Sequence, residues 1–156
     1  MSSPRYGVCL WYPGAAEEAA EFYTSILDDA EITQIFRPAP DAPAVTVAFR
    51  LGDSQFIALN GESAPAFTEA ASIMVHCSDQ RQVDRLWDAL TADGGEAGMC
   101  GWLKDRFGVS WQIVPDQLIS LLSSPDTDAA GRVMEAMMTM TKIDISELES
   151  AARGDG

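Results

Sequence analysis

"WLKDRFGVSWQIVP", residues 102–115, is the stretch that decides the fold. Its second half alternates. Val109, Trp111 and Ile113 fall on one side, Ser110 and Gln112 on the other. Strict alternation is the period of a half-buried strand, and "KDRFG" ahead of it has the composition of a turn. A tight hairpin is predicted, with Gln112 facing away from Trp111. Gln112 is then a metal ligand, a group that grips a small molecule, or an ordinary amide in a half-wet cleft.

Upstream of the hairpin, "ASIMVHC" (71–77) reads as a strand. Asp79 with Gln82 forms a capping-box pattern, with the acid as N-cap. Val83, Leu86, Trp87 and Leu90 then recur on one helical face. "ADGGEAG" (92–98) ends that helix. The first half of the chain runs the same way. "GVCLWY" (7–12) suits a short buried strand, and Pro13-Gly14 turns the chain. "AAEEAAEFYTSIL" (15–27) is an amphipathic helix with Glu17 and Glu18 in its first turn, where the helix dipole favours them. "EITQIFR" (31–37) is a strand, "PAPDAP" (38–43) a loop, and "AVTVAFRLGDSQFIALNG" (44–61) a hairpin turning at Gly52-Asp53. "ESAPAFTEA" (62–70) has a linker's composition. Strand, helix and strands thus occur twice, with Tyr23 and Trp87 on the buried faces of the two helices. This pattern implies two similar βαβββ halves, and it equally fits a generic α+β domain of eight short strands.

The tail differs. "DQLISLLSSPD" (116–126) suits a short helix, and "AAGRVMEAMMTM" (129–140) is helical and rich in methionine. "ISELESAA" (145–152) suits a last turn or two with Ser146 as N-cap and Glu149 three residues on. The closing "RGDG" reads as frayed. The methionines are read as core filling or a subunit contact.

With 156 residues, the chain fits one domain, 1–156, with modules at about 7–60 and 72–114 and a helical tail at about 116–152. Its 24 Asp and Glu against 10 Lys and Arg give a formal net charge of −14. That field repels a phosphate backbone and anionic membranes; it suits solubility, or a cationic ligand. Three cysteines without paired spacing point to a reducing cytoplasm. No apolar run approaches the ~20 residues of a membrane span.

"CLWYPGAAEEAAEFYTSIL" (9–27), "FIALNG" (56–61), "GGEAGMCGWLKDRFGVSWQIVP" (94–115) and "RVMEAMMTMTKIDISELESA" (132–151) resemble the PhnB-like branch of the vicinal oxygen chelate superfamily. Glyoxalase I, extradiol dioxygenases and antibiotic-resistance proteins share that superfamily. "CGWLKDRFGVSWQ" is the most specific part. The resemblance implies an α+β fold of two βαβββ modules forming a curved sheet around a cleft, usually in a homodimer. Members of the branch are often labelled 3-demethylubiquinone 3-methyltransferases. A conventional enzyme of that kind binds S-adenosylmethionine on a Gly-rich turn that follows a strand and opens a helix. "DGGEAG" (93–98) follows a helix instead, so the label finds no support in these residues.

Metal-dependent relatives take four ligands from four strands, mostly His and Glu. Carried over, those positions fall at Cys9, Asn60, Ser72 and Gln112, the last because "DRFGVSWQ" overlays the family's Asp-x-x-Gly-x-x-x-Glu pattern. Three are neutral, and the thiol would have to ionise. Divalent cations want carboxylates, imidazoles or thiolates, so no metal and no cofactor are expected. Gln112 is then an orienting group for an organic ligand or a solvated amide. His76, on the face of Ser72 and Met74, is a strand-end residue or a proton carrier at the cleft mouth. Cys100 is the best candidate for a reactive thiol, but only Lys104 adjoins it as a cation. Trp11, Phe56 and Trp102 flank the cleft strands, as core or as an apolar wall.

Three readings follow. The first is a protein holding a small organic ligand in its inter-module cleft without a catalytic metal. The second is an enzyme using Cys100 and His76, or an unusual metal. The third is an interaction protein with a vestigial cleft.

Overall fold

The computed structural model describes residues 1–155. It divides into two compact units, Met1–Ala66 and Phe67 onward, with the break inside the segment read as a linker. In the first unit β1 (Val8–Tyr12) leads into α1 (Ala16–Ile26), followed by β2 (Ala30–Phe36), β3 (Thr46–Leu51) and β4 (Ser54–Asn60). The strands lie in the order β1-β4-β3-β2, with β1 parallel to β4 and the other neighbours antiparallel. The second unit repeats the arrangement. β5 (Ile73–Cys77), α2 (Gln80–Thr91), β6 (Glu96–Ala97), β7 (Trp102–Lys104) and β8 (Ser110–Pro115) give the order β5-β8-β7-β6, with β5 parallel to β8. Helices α3 (Asp116–Leu122), α4 (Thr127–Met137) and α5 (Ile145–Arg153) close the chain. The protein is therefore α+β, two βαβββ repeats each built on a four-stranded mixed sheet. No helix among the described residues is long and apolar enough to cross a membrane.

In the first unit Ala16, Ala19, Ala20 and Tyr23 bury one face of α1 completely. Val47, Phe49, Phe56 and Ala58 meet that face from the sheet side of the core. The Tyr12 and Tyr23 hydroxyls lie 3.0 Å apart and satisfy one another in this apolar setting. β1 departs from its reading as a buried strand: Val8, Cys9 and Trp11 are exposed, and only Tyr12 is fully buried. The reason is position. β1 is an edge strand, and α1 covers only one face of its sheet.

In the second unit the capping box is realised. Asp79 Oδ1 accepts from the Gln82 amide at 2.8 Å, and Gln82 Oε1 accepts from the Ser78 amide at 2.9 Å. Val83, Leu86, Trp87 and Leu90 are buried, as are Leu103, Trp111 and Ile113 of the sheet. "DGGEAG" ends α2 through the left-handed Asp93 and Gly94, and it then supplies β6, a two-residue strand too short to register as alternation.

The tail has a core of its own, in which Val133, Ile143 and Leu148 are fully buried beside Val114, Leu118 and Met140. Met134 and Met138 stay exposed. The cap of α5 differs from the sequence reading. Asp144, not Ser146, accepts from the Glu147 amide at 3.1 Å, and the Ser146 hydroxyl donates to the same carboxylate at 2.8 Å. The helix begins at Ile145, so Ser146 already lies in its first turn. α5 also runs through Arg153, read as frayed, and closes on Gly154 at φ 81°; Gly156 lies outside the described residues.

Candidate functional site

The opening hairpin is held by one carboxylate. Asp105, 2% exposed, accepts from the amides of Phe107 at 2.9 Å and Val109 at 3.0 Å, and from Trp111 Nε1 at 2.9 Å. An aspartate that accepts from amides two and four residues ahead fixes the turn and the start of β8. Sequence reading missed this role, although Asp and Gly three residues apart in "DRFG" carry the signal.

β8 then alternates as expected. Trp111 and Ile113 face α2, while Ser110 and Gln112 face the other way. On this open face Gln112 is flanked by Met74 of β5 and Trp102 of β7. Gln112 Nε2 donates to Ser72 Oγ at 2.9 Å. Its Oε1 takes no hydrogen bond among the described residues. Ser72, Trp102 and Gln112 are thus brought together, with exposed His76 on the same face of β5.

In the first unit the candidates separate. Cys9 and Trp11 sit on the face of β1 away from α1, both exposed. The Trp11 indole donates to the Gly61 carbonyl at 3.2 Å. A Cβ at position 61 would stand 2.5 Å from the indole nitrogen, so only glycine lets the ring lie there. Phe56 and Asn60 point to the opposite face. Phe56 stacks on Phe49 at 5.2 Å between ring centroids. Asn60 Oδ1 accepts from the Ala16 amide at 2.8 Å, and its Nδ2 donates to the Ala44 carbonyl at 2.9 Å. That amide supplies the N-terminal acceptor which α1, beginning after Ala15, lacks locally.

The thiols differ. Burial first, and then the Asp116 charge, push the Cys77 thiol up to about 11. Cys100 is half-buried at φ 59°, its amide donating to the Met140 carbonyl at 2.7 Å and its sulfur 3.9 Å from Met138 Sδ. His76 stands on β5 and Cys100 leads into β7, with β8 between them. Two strand spacings separate their backbones by about 10 Å, and no hydrogen bond joins them. Among the described residues no group of three or more His, Cys, Asp or Glu is arranged to hold a metal ion.

Trp102 also lines a cleft of about 360 Å³ in the second unit, whose other lining residues, among them Glu69, Glu96, Met99, Lys104 and Ser110, the sequence candidates omitted. The alternation of β7 and β8 was the available signal, since it puts Lys104 and Ser110 on the face of Gln112.

Comparison with known proteins agrees with the fold. A family model described as 3-demethylubiquinone-9 3-methyltransferase matches residues 4–114. Among solved structures, a PhnB protein from Bacillus cereus carrying the same methyltransferase description is 29% identical with a TM-score of 0.65, over 72% of this chain and 99% of that one. A glyoxalase/bleomycin resistance protein from Albidiferax ferrireducens is 15% identical with a TM-score of 0.51, over 71% and 97%. A fosfomycin resistance protein from Listeria monocytogenes is 14% identical with a TM-score of 0.51, over 73% and 91%. These last two show likeness of fold alone. No curated protein matches the chain.

Proposed function

The chain belongs to the 3-demethylubiquinone-9 3-methyltransferase family, and from that premise we propose that it binds a small organic ligand on the open sheet face carrying Ser72, Trp102 and Gln112, without a catalytic divalent metal. One observation carries the reading. A neutral Ser72–Gln112 pair, with the Gln112 carbonyl left as a vacant acceptor, lies beside an indole. Few placed polar groups against apolar walls are how small-molecule sites are built. Cys9 and Trp11 stand exposed on the face of the first unit's sheet away from α1.

The donor chemistry supports the same reading. Of the positions where metal-dependent relatives carry ligands, Asn60 has both ends of its amide engaged by backbone, and Ser72 and Gln112 bond one another. Only Cys9 could supply charge. Such a set does not fit a divalent cation. Methyl transfer finds no support either: "DGGEAG" runs from α2 into β6, not from a strand into a helix. Thiol chemistry at Cys100 is the second reading, favoured by the left-handed φ of a non-glycine residue.

Metal analysis of the purified protein, together with a thermal-shift screen of small neutral and charged aromatics, tests the proposal. Binders that raise Tm, with no retained metal, are expected. Stoichiometric zinc, nickel, iron or manganese that survives dialysis overturns it.

A further inference from the structure

α4 carries two methionines that the tail core does not use. Val133 is fully buried, and Ala136 and Met137 pack against that core. Met134 and Met138, one turn apart on the same side of the helix, are 45% and 58% exposed. Beside them stands a thiol: Cys100 Sγ lies 3.9 Å from Met138 Sδ. The two residues are 38 positions apart, so folding and not the local chain brings the sulfurs together.

The pair is held in place from behind. The Cys100 amide donates to the Met140 carbonyl at 2.7 Å and the Gly101 amide to the Thr141 carbonyl at 2.8 Å, which laces the loop to the chain just beyond Met138. The Gly101 carbonyl in turn accepts from the Ile113 amide at 2.8 Å, which ties the same loop to β8. Cys100 itself has φ 59°, a conformation that glycine would adopt at less cost. A side chain kept at such a position is rigidly aimed, and strain of this kind gathers at functional sites.

We infer that Cys100 and Met138 form a binding site for a soft monovalent cation, copper(I) above all, with Met134 as a third sulfur ligand one turn back on α4. Thiolate and thioether donors select such ions over hard ones. With metal–sulfur bonds of about 2.3 Å, sulfurs 3.9 Å apart subtend about 115° at the metal, close to a trigonal angle. On binding, the Cys100 thiol gives its proton to solvent and the thiolate takes the ion. Met138 caps the C-terminus of α4, whose last turn carries no basic residue, so the negative end of the helix dipole also favours a cation there. Ser72, Gln112 and Trp102 take no part, so the site stands apart from the ligand-binding reading above. Open to solvent at Met138, it yields its ion to dialysis against a chelator.

Anaerobic titration of the full chain with copper(I), with ascorbate to keep the metal monovalent and ferrozine as the competing chromophore, tests the assignment. One equivalent withheld from ferrozine is expected, with only sulfur in the first shell by X-ray absorption. Cys100→Ser should abolish binding. Met138→Leu, which conserves volume and spares the fold, should weaken it by about tenfold or more, at least what loss of a metal's supporting group costs. Cys9→Ser should change nothing, and bound copper should shield Cys100 but not Cys9 from a thiol reagent. Failure to withhold copper from ferrozine, nitrogen or oxygen in the first shell, or unchanged affinity in Met138→Leu overturns the site. Loss of binding in Cys9→Ser overturns it too, because the ion then bridges other thiols.

Discussion

A single buried carboxylate sets the hairpin from which the second unit is organised. Asp105 serves three donors, two backbone amides and the Trp111 indole. Asp105→Ala would orphan all three, at roughly 1–3 kcal/mol each where they are buried. Chemical denaturation should report a loss of about 3 kcal/mol, with Asp105→Asn in between; a loss below about 1 kcal/mol would contradict this role. Cys77 gives a second prediction. With its thiol pushed up to about 11 by burial, it stays protonated at neutral pH. A thiol reagent at pH 7.5 should label exposed Cys9 first and half-buried Cys100 more slowly, leaving Cys77 untouched until denaturant is added. Mass mapping of the labelled peptides checks the order. At this scale the sequence was half legible. The parity of Gln112, Ser110 and Trp111 could be read directly, because alternation is local. The roles of Asp105 and Asn60 could not, because a side chain's partners are set by folding. For Asn60 those partners are Ala44 and Ala16, 16 and 44 residues away.

Helices show the same contrast between local and distant causes. α2, α4 and α5 each begin on an aspartate that accepts from an amide three residues on: Asp79, Asp126 and Asp144. α1 has no such residue and borrows Asn60 from the far end of β4. The bonds from the Glu147 amide and the Ser146 hydroxyl hold the Asp144 carboxyl below its ordinary value. Because the folded value lies below the unfolded one, the contribution is complete at neutral pH and is lost as pH falls through the folded value. Urea titrations of the parent and Asp144→Ala at several pH values should differ by about 1 kcal/mol at pH 7, the usual worth of an N-cap. That gap should close below the ordinary carboxyl value of 3.8. A gap that persists unchanged at pH 3 would refute the capping account. The elements themselves were largely readable from apolar spacing. β6 was not, since two residues carry no period, and the exposure of β1 was not, since apolar composition does not reveal an edge.

For the molecule as a whole, the duplication was the legible feature. Two helices with an aromatic on the buried face, each after an apolar strand, are enough to propose a repeat, and the two sheets share one strand order. Which face of each sheet the helix covers was not legible, and this is why Phe56 and Asn60 fell apart from Cys9 and Trp11. The uncovered face of the first unit leaves Phe36 55%, Trp11 39% and Ile57 38% exposed. Apolar groups clustered this way mark an association surface. A homodimer is accordingly expected, and light scattering after gel filtration should give about twice 16.8 kDa. Trp11→Glu should shift that mass toward the monomer, and a monomeric parent at micromolar concentration would refute the expectation. The last feature concerns where the protein can be cut. The family match ends at residue 114, yet the amides of Cys100 and Gly101 are held by the carbonyls of Met140 and Thr141. Gly101, at φ 82°, packs so tightly that an added Cβ would come within 3.1 Å of Ile143. A version trimmed to the matched region would keep the candidate contact residues and lose the brace behind the loop that presents them. In this chain the connection between α4 and α5 braces the loop that leads into β7, and a transplant of the proposed site must carry the terminal segment along.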